Sequence, residues 1–233
     1  MFTFKQFTIT DGQSAMKVGT DGVLLASWVD LSSQCDSILD VGSGSGIISL
    51  ILAQRTNGEV LIDAIDIDKG AVNDSEINFS ASPWSNIFNI INGNFVSYSK
   101  ECKKRYSLIV SNPPYFTENT KSPDNKRSLA RNTSSLSFDS LFSGVINLLS
   151  EDGIFALILP AEAYTEIAQI ALLKGLYIKR LTWVSTISGS SPKRLLAEWS
   201  RVQTQYTIDT LIISDKEGNY TSQYKKLTEE YYL

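Results

Sequence analysis

Residues 37–54, SILDVGSGSGIISLILAQ, constrain the fold more than any other stretch of the chain. Five strand-like residues run into three alternating glycines, and a helical apolar pattern starts at once. Glycines let a chain turn sharply out of a buried strand and let a ligand lie against bare peptide. The strand-then-helix pattern recurs downstream. Residues 60–67 read as a second strand and Lys69–Ser80 as a helix that Asp68 would cap. Residues 87–91 and Tyr106–Ser111 read as a third and a fourth strand, 138–149 as a helix, 154–159 as a fifth strand and 161–174 as a helix stopped by Gly175. Such alternation predicts an α/β fold with a mostly parallel sheet and helices on both faces. Residues 177–184, Arg194–Ser200 and 206–213 then read as strands joined by loops alone, which predicts antiparallel pairing at one edge.

A chain of 233 residues with 42% hydrophobic and 20% charged residues can bury a full core without disulfides or metals. The sequence contains no histidine, so Ser-His-Asp and Cys-His catalysis and His-based metal sites are excluded. Cys35 and Cys102 have no metal-ligand spacing and suit a reducing compartment. The start, MFTFKQFTITDG, lacks a signal-peptide plan, and the longest apolar run is too short to span a bilayer. The expectation is a cytoplasmic protein with no metal and no membrane partner, a monomer being a reasonable state. The net charge of −4 argues against wholesale coating of nucleic acid. Basic residues nevertheless gather between Lys100 and Arg131, and again between Lys174 and Arg201, where a phosphate backbone could be gripped locally or the charges could simply be solvated.

The chemistry-bearing residues sit at the ends of successive strands. Asp40 precedes Gly42, Gly44 and Gly46, an acid that suits a ligand with an amine end better than a diphosphate. Taken alone, this loop also fits a purely structural turn. Asp66 ends the second strand, where a Rossmann-type carboxylate accepts hydrogen bonds from ribose hydroxyls. Asn94 and Phe95 follow the third, a polar group and an aromatic that fit an adenine amine and ring, or almost as well a plain loop residue and a core Phe. Ligands bind beyond the carboxyl ends of parallel strands, and this ordering points to an adenosine-bearing cofactor.

The fourth strand delivers Asn112-Pro113-Pro114-Tyr115 to the same rim. A conjugated NH2 group attacks poorly until its nitrogen becomes pyramidal. Two acceptors aimed at its hydrogens favour that change and offset the charge that builds. The Asn112 side chain and the Pro113 carbonyl would be those acceptors, Pro114 would fix the carbonyl in advance, and Tyr115 would stack on an unpaired base, although such a run alone also fits a rigid strand exit with a surface Tyr.

The motifs DVGSGSG, Asp66, NGNF and NPPY, in that order, resemble class I methyltransferases that use S-adenosyl-L-methionine to modify amino groups. MKVGTDGVLLASW (16–28), KRSLARNTSSLSFDSL (126–141), PKRLLAEWS (192–200) and YTSQYKKLTEEYYL (220–233) resemble one group among them, the bacterial enzymes that methylate the exocyclic amine of adenosine 37 in the anticodon loop of a valine tRNA. The resemblance spans nearly the whole chain. It implies a Rossmann-like sheet of seven strands with an antiparallel edge strand, an N-terminal cofactor-covering segment (1–35) and a methyltransferase domain (36–233). It also implies that Lys17, Thr20 and Asp21 hold the methionine end of the cofactor, that Asp40 and Gly42 line its amino-acid moiety, and that Asp66 holds the ribose. Phe95 would lie against adenine, with Asn94 where the family usually has Asp. Arg127 and Arg131 would be phosphate contacts. A protein-glutamine methyltransferase would use the same NPPY chemistry, but about 36 residues before the first strand leave little room for the helical N-terminal domain of those enzymes. A non-catalytic RNA-binding protein on this scaffold is the remaining alternative.

Overall fold

The computed structural model describes residues 1–31, 34–114 and 136–233. Two short strands, β1 (Phe2–Thr3) and β2 (Thr8–Ile9), pair antiparallel at the N-terminus. Helix α1 (Thr20–Trp28) follows, and the main sheet opens with β3 (Ser37–Val41). Then come α2 (Ile47–Arg55), β4 (Leu61–Asp66), α3 (Lys69–Ser80), β5 (Phe88–Asn92), α4 (Phe95–Glu101) and β6 (Tyr106–Ser111). After residues 115–135 the chain continues with α5 (Phe138–Leu148), β7 (Leu149–Pro160) and α6 (Tyr164–Leu173). It closes with β8 (Tyr177–Ile187), β9 (Arg194–Ser200), β10 (Thr207–Ser214) and α7 (Ser222–Thr228).

The main sheet has the order β10-β8-β9-β7-β6-β3-β4-β5. Strands β3 to β7 are mutually parallel, β9 is antiparallel to both its neighbours, and β10 runs parallel to β8. Two details differ from the sequence expectation: the sheet has eight strands rather than seven, and its antiparallel strand lies inside it rather than at the edge. The burial of each strand accounts for this. Six of the seven residues of β9 are buried, so it needs cover from both neighbours, whereas the first half of β10 is exposed and tolerates the outer position.

Strand residues alternate between two cores. Ile38, Leu108, Val110, Ala156 and Ile158 face the core under α1 and α2, while Leu39, Ile109, Phe155 and Leu157 face the one under α5 and α6. With side chains buried on both faces, the central strands are mostly apolar, as parallel sheets favour, and Asp40 in β3 and Asp63 in β4 are the buried acids among them. Helix α3 starts where Asp68 accepts a hydrogen bond from the Gly70 N–H at 3.0 Å, the cap that its position predicts. No helix among the described residues is long and apolar enough to cross a membrane.

Candidate active site

Parallel pairing brings the carboxyl ends of four strands to one rim. Val41 pairs with Ile65 on one side and Ser111 on the other, and Asp66 pairs with Asn92. The glycine loop, Asp66, the start of the NGNF turn and Asn112 therefore lie side by side in the order β6, β3, β4, β5.

The loop is built by its glycines. Gly42, Gly44 and Gly46 all have positive φ (72°, 57° and 86°), which side chains rarely adopt. A Cβ on Gly42 or Gly44 would meet nothing within 4 Å, so bare backbone faces open space there. At Gly46 a Cβ would run into the Phe79 ring of α3 instead, so this glycine serves packing. The Gly42 N–H donates to the Ile65 carbonyl at 2.8 Å, and the Gly44 N–H donates to Asp66 Oδ2 at 2.9 Å. Asp66 Oδ1 accepts from the Asp68 N–H at 2.8 Å. Each carboxylate oxygen carries one backbone donor and keeps acceptor capacity for hydroxyls. Burial raises the Asp66 pKa despite these donors.

Asp40 is fully buried, and Ser49 of α2 donates to its Oδ2 at 2.7 Å. Its Oδ1 has no hydrogen-bond partner. Desolvation pushes its pKa up to about 7. A lone buried acceptor beside open glycine backbone fits a cofactor with an amine end and a ribose.

At the neighbouring strand end, Ser111 Oγ donates to the Val41 carbonyl at 2.8 Å. This hydroxyl ties the exit of β6 to the strand that feeds the glycine loop. Beyond it Asn112 is half-buried, Pro113 buried and Pro114 exposed.

Several expected site residues are otherwise engaged. Phe95 is buried in the core, with the edge of its ring against Gly144 of α5. Asn94 caps α4 by accepting from the Ser97 N–H at 3.1 Å. Lys17 donates to the carbonyls of Asp11 and Gly12. Asp21 accepts from Arg194 Nε at 2.7 Å, where Arg194 opens β9 on the same rim, and Thr20 is exposed at the start of α1. Tyr115, Arg127 and Arg131 lie outside the described residues.

Several of the described basic residues have structural partners. Lys100 to Arg105 precede β6 and so lie at the opposite rim; Lys104 pairs with buried Asp63 at 2.9 Å. Arg180 lies over the Trp28 ring at 3.8 Å and faces Glu198, Lys174 pairs with Asp139, and Arg201 donates to the Ile146 and Leu149 carbonyls at the end of α5. Sequence reasoning missed the polar face of α3, where Ser75 and Asn78 hold the carbonyls of Gly44 and Ser45 at 2.6 and 2.8 Å. The only sequence signal for it is polar residues at helical spacing on an otherwise core-facing element.

Comparison with known proteins bears on this geometry. A solved structure described as a predicted O-methyltransferase from Agrobacterium tumefaciens superposes with a TM-score of 0.69 at 16% identity, over 91% of this chain and 96% of that one. The TehB-like methyltransferase of Corynebacterium glutamicum superposes with a TM-score of 0.53 at 15% identity, over 81% and 90%. The fold is that of a class I, Rossmann-like methyltransferase. Residues 13–136 match the family described as methyltransferase small domain. Proteins named tRNA1(Val) (adenine(37)-N6)-methyltransferase are similar end to end: that of Bacteroides fragilis is 40% identical over 100% of this chain and 97% of its own, and that of Flavobacterium johnsoniae 41% identical over 100% and 99%. The chain belongs to the methyltransferase small-domain family and, within it, to the group of tRNA1(Val) (adenine(37)-N6)-methyltransferases.

Proposed function

We propose that this protein transfers a methyl group to the exocyclic N6 amine of adenosine 37 in the anticodon loop of a valine tRNA, using S-adenosyl-L-methionine, in the cytoplasm. The observation that carries this reading is similarity at about 40% identity along the whole chain to enzymes of that name, in a chain with an NPPY strand exit beside an open glycine loop. When bound, the cofactor supplies an electrophilic methyl carbon on a sulfonium. Asp66 would hold the ribose hydroxyls, and the unpartnered Asp40 Oδ1 would face the amino-acid end, with Gly42 and Gly44 giving close backbone approach. Lys17, Thr20 and Asp21 would cover the methionine end, and Asn94 the adenine side.

The substrate amine would be held by Asn112 Oδ1 and the Pro113 carbonyl. These acceptors take its two hydrogens, favour a pyramidal nitrogen and stabilise the positive charge that develops there. Water then takes the released proton, so no imidazole is needed. Tyr115 would stack on the adenine and Arg127 and Arg131 would meet flanking phosphates. Anticodon-loop bases are unpaired already, so displaying the target costs little.

The test is transfer of labelled methyl to unmodified tRNA, protein and DNA fractions, followed by nucleoside analysis. Label in N6-methyladenosine of valine tRNA is the expected result; label in glutamine would sink the reading. Asn112→Ala should lower kcat by roughly 10²–10³-fold, the scale of losing one transition-state hydrogen-bond partner. Its Kd for S-adenosyl-L-homocysteine should stay within about twofold of wild type, because the substituted group faces the substrate.

A further inference from the structure

One side-chain amide joins the N-terminal segment to the glycine loop. Asn78 of α3 is 2% exposed. Its two N–H groups donate to the Thr10 carbonyl at 2.7 Å and the Ser45 carbonyl at 2.8 Å. Its oxygen accepts from the Thr10 N–H at 2.8 Å and from Thr10 Oγ1 at 3.0 Å. Both donors and two acceptor positions are thus used. One turn earlier, buried Asp74 Oδ2 accepts from the Gln13 N–H, the Ser14 N–H and Ser14 Oγ at 2.9, 2.7 and 2.7 Å. Gly70 lets this segment lie flush on the helix, since a Cβ there would fall 2.6 Å from the Gln13 carbonyl oxygen. Asp74 grips the segment alone and Ser75 the loop alone; Asn78 grips both.

We propose that Asn78 is a positioning residue for cofactor binding, its amide making the docking of residues 10–14 and the conformation of the glycine loop one coupled equilibrium. The proposal rests on the reading that this loop holds an S-adenosyl compound. A buried amide with all its partners in place is costly to leave half-satisfied, so releasing the segment strains the loop and the reverse. Coupling of this kind is reciprocal: by whatever factor segment docking tightens the cofactor, the cofactor tightens docking.

The experiment is hydrogen exchange of the full chain with and without S-adenosyl-L-homocysteine, together with calorimetric Kd values. In the wild type, ligand should increase protection of the amides of residues 10–14. Asn78→Asp keeps the acceptors and loses both donors. It should raise the Kd roughly tenfold, the scale of one to two hydrogen bonds, abolish the ligand-induced protection and leave KM for tRNA unchanged. Val72→Ala, a buried change on the same helix with no hydrogen bond to the loop, should cost stability and leave the Kd unchanged. Should Asn78→Asp not fold, Asp74→Ala decides, because it touches only the segment and still weakens cofactor binding several-fold if the coupling exists. An unchanged Kd in the deciding variant, or an equal rise in Val72→Ala, overturns the proposal alone. A wild type that binds no S-adenosyl compound overturns the cofactor reading and the proposal with it.

Discussion

On the proposed reading, Asp40 shows how one position can serve a ligand at some cost to stability. A carboxyl whose pKa is raised by burial binds its proton more tightly folded than unfolded, so its contribution to stability is full below the unfolded value near 4. That contribution is lost as pH rises towards about 7. Thermal melts of ligand-free protein should therefore show Tm falling between pH 4 and 7 on this account, with a flatter slope in Asp40→Asn. That variant keeps an acceptor for the Ser49 hydroxyl. A ligand ammonium would favour the ionised form, so affinity for S-adenosyl-L-homocysteine should tighten from pH 6 to 8 in wild type and lose that dependence in Asp40→Asn. An acid placed two residues before the first glycine was legible in the sequence. Its orphaned oxygen was not, because burial and the Ser49 contact are set by α2 packing against the strand. Phe95 teaches the converse: an aromatic after a strand end fits an adenine ring or a core equally well in sequence, and here Gly144 on α5 opens the core space that takes it.

Among the elements, those with a clear period and clear stops were the most legible. Ser37–Val41, Tyr106–Ser111, Arg194–Ser200 and Lys69–Ser80 have the bounds that the sequence suggested. Helix α1 escaped because seven of its nine residues are buried, which erases the polar face that marks a helix. Helices α4 and α7 are seven residues each, too short for a period to register. The contact between the glycine loop and α3 gives the sharpest test at this scale. Gly46→Ala would force a methyl into the Phe79 ring at a positive φ and should cost about 2–5 kcal/mol in urea melts, overpacking and backbone strain together. Gly42→Ala has the same backbone conflict with open space beyond it, so about 1–2 kcal/mol is expected, with a larger loss in ligand Kd.

Across the whole molecule, the two ends of the chain meet on one face. The Lys5 N–H donates to the Tyr231 carbonyl at 2.8 Å, Gln54 of α2 donates to the Glu230 carbonyl at 2.9 Å, and Phe4 stacks with Tyr232. Tyr231 is buried in the same core as α1 and α2. Tyr231→Ala should cost about 3–5 kcal/mol, as aromatic truncations in cores do, and should release the N-terminal strand pair first, visible as lost exchange protection in residues 2–9. No local pattern in YYL announces this, since it depends on which distant segment arrives there. The placement of β9 inside the sheet is the same kind of fact, decided by which strand can best bear exposure at the edge.

The hydroxyl bond from Ser111 to Val41 has a consequence for how this protein should fail. It braces two strand ends that, on the proposed reading, carry the two halves of the site, one interstrand spacing of about 4.8 Å apart, set by the ladder between β3 and β6 rather than by a hinge. A ruler cut into the centre of a sheet does not stretch with warming. On the proposed reading, turnover should then persist almost to the melting transition and vanish with it, and a heat-damaged sample would be a mixture of fully competent and fully unfolded molecules.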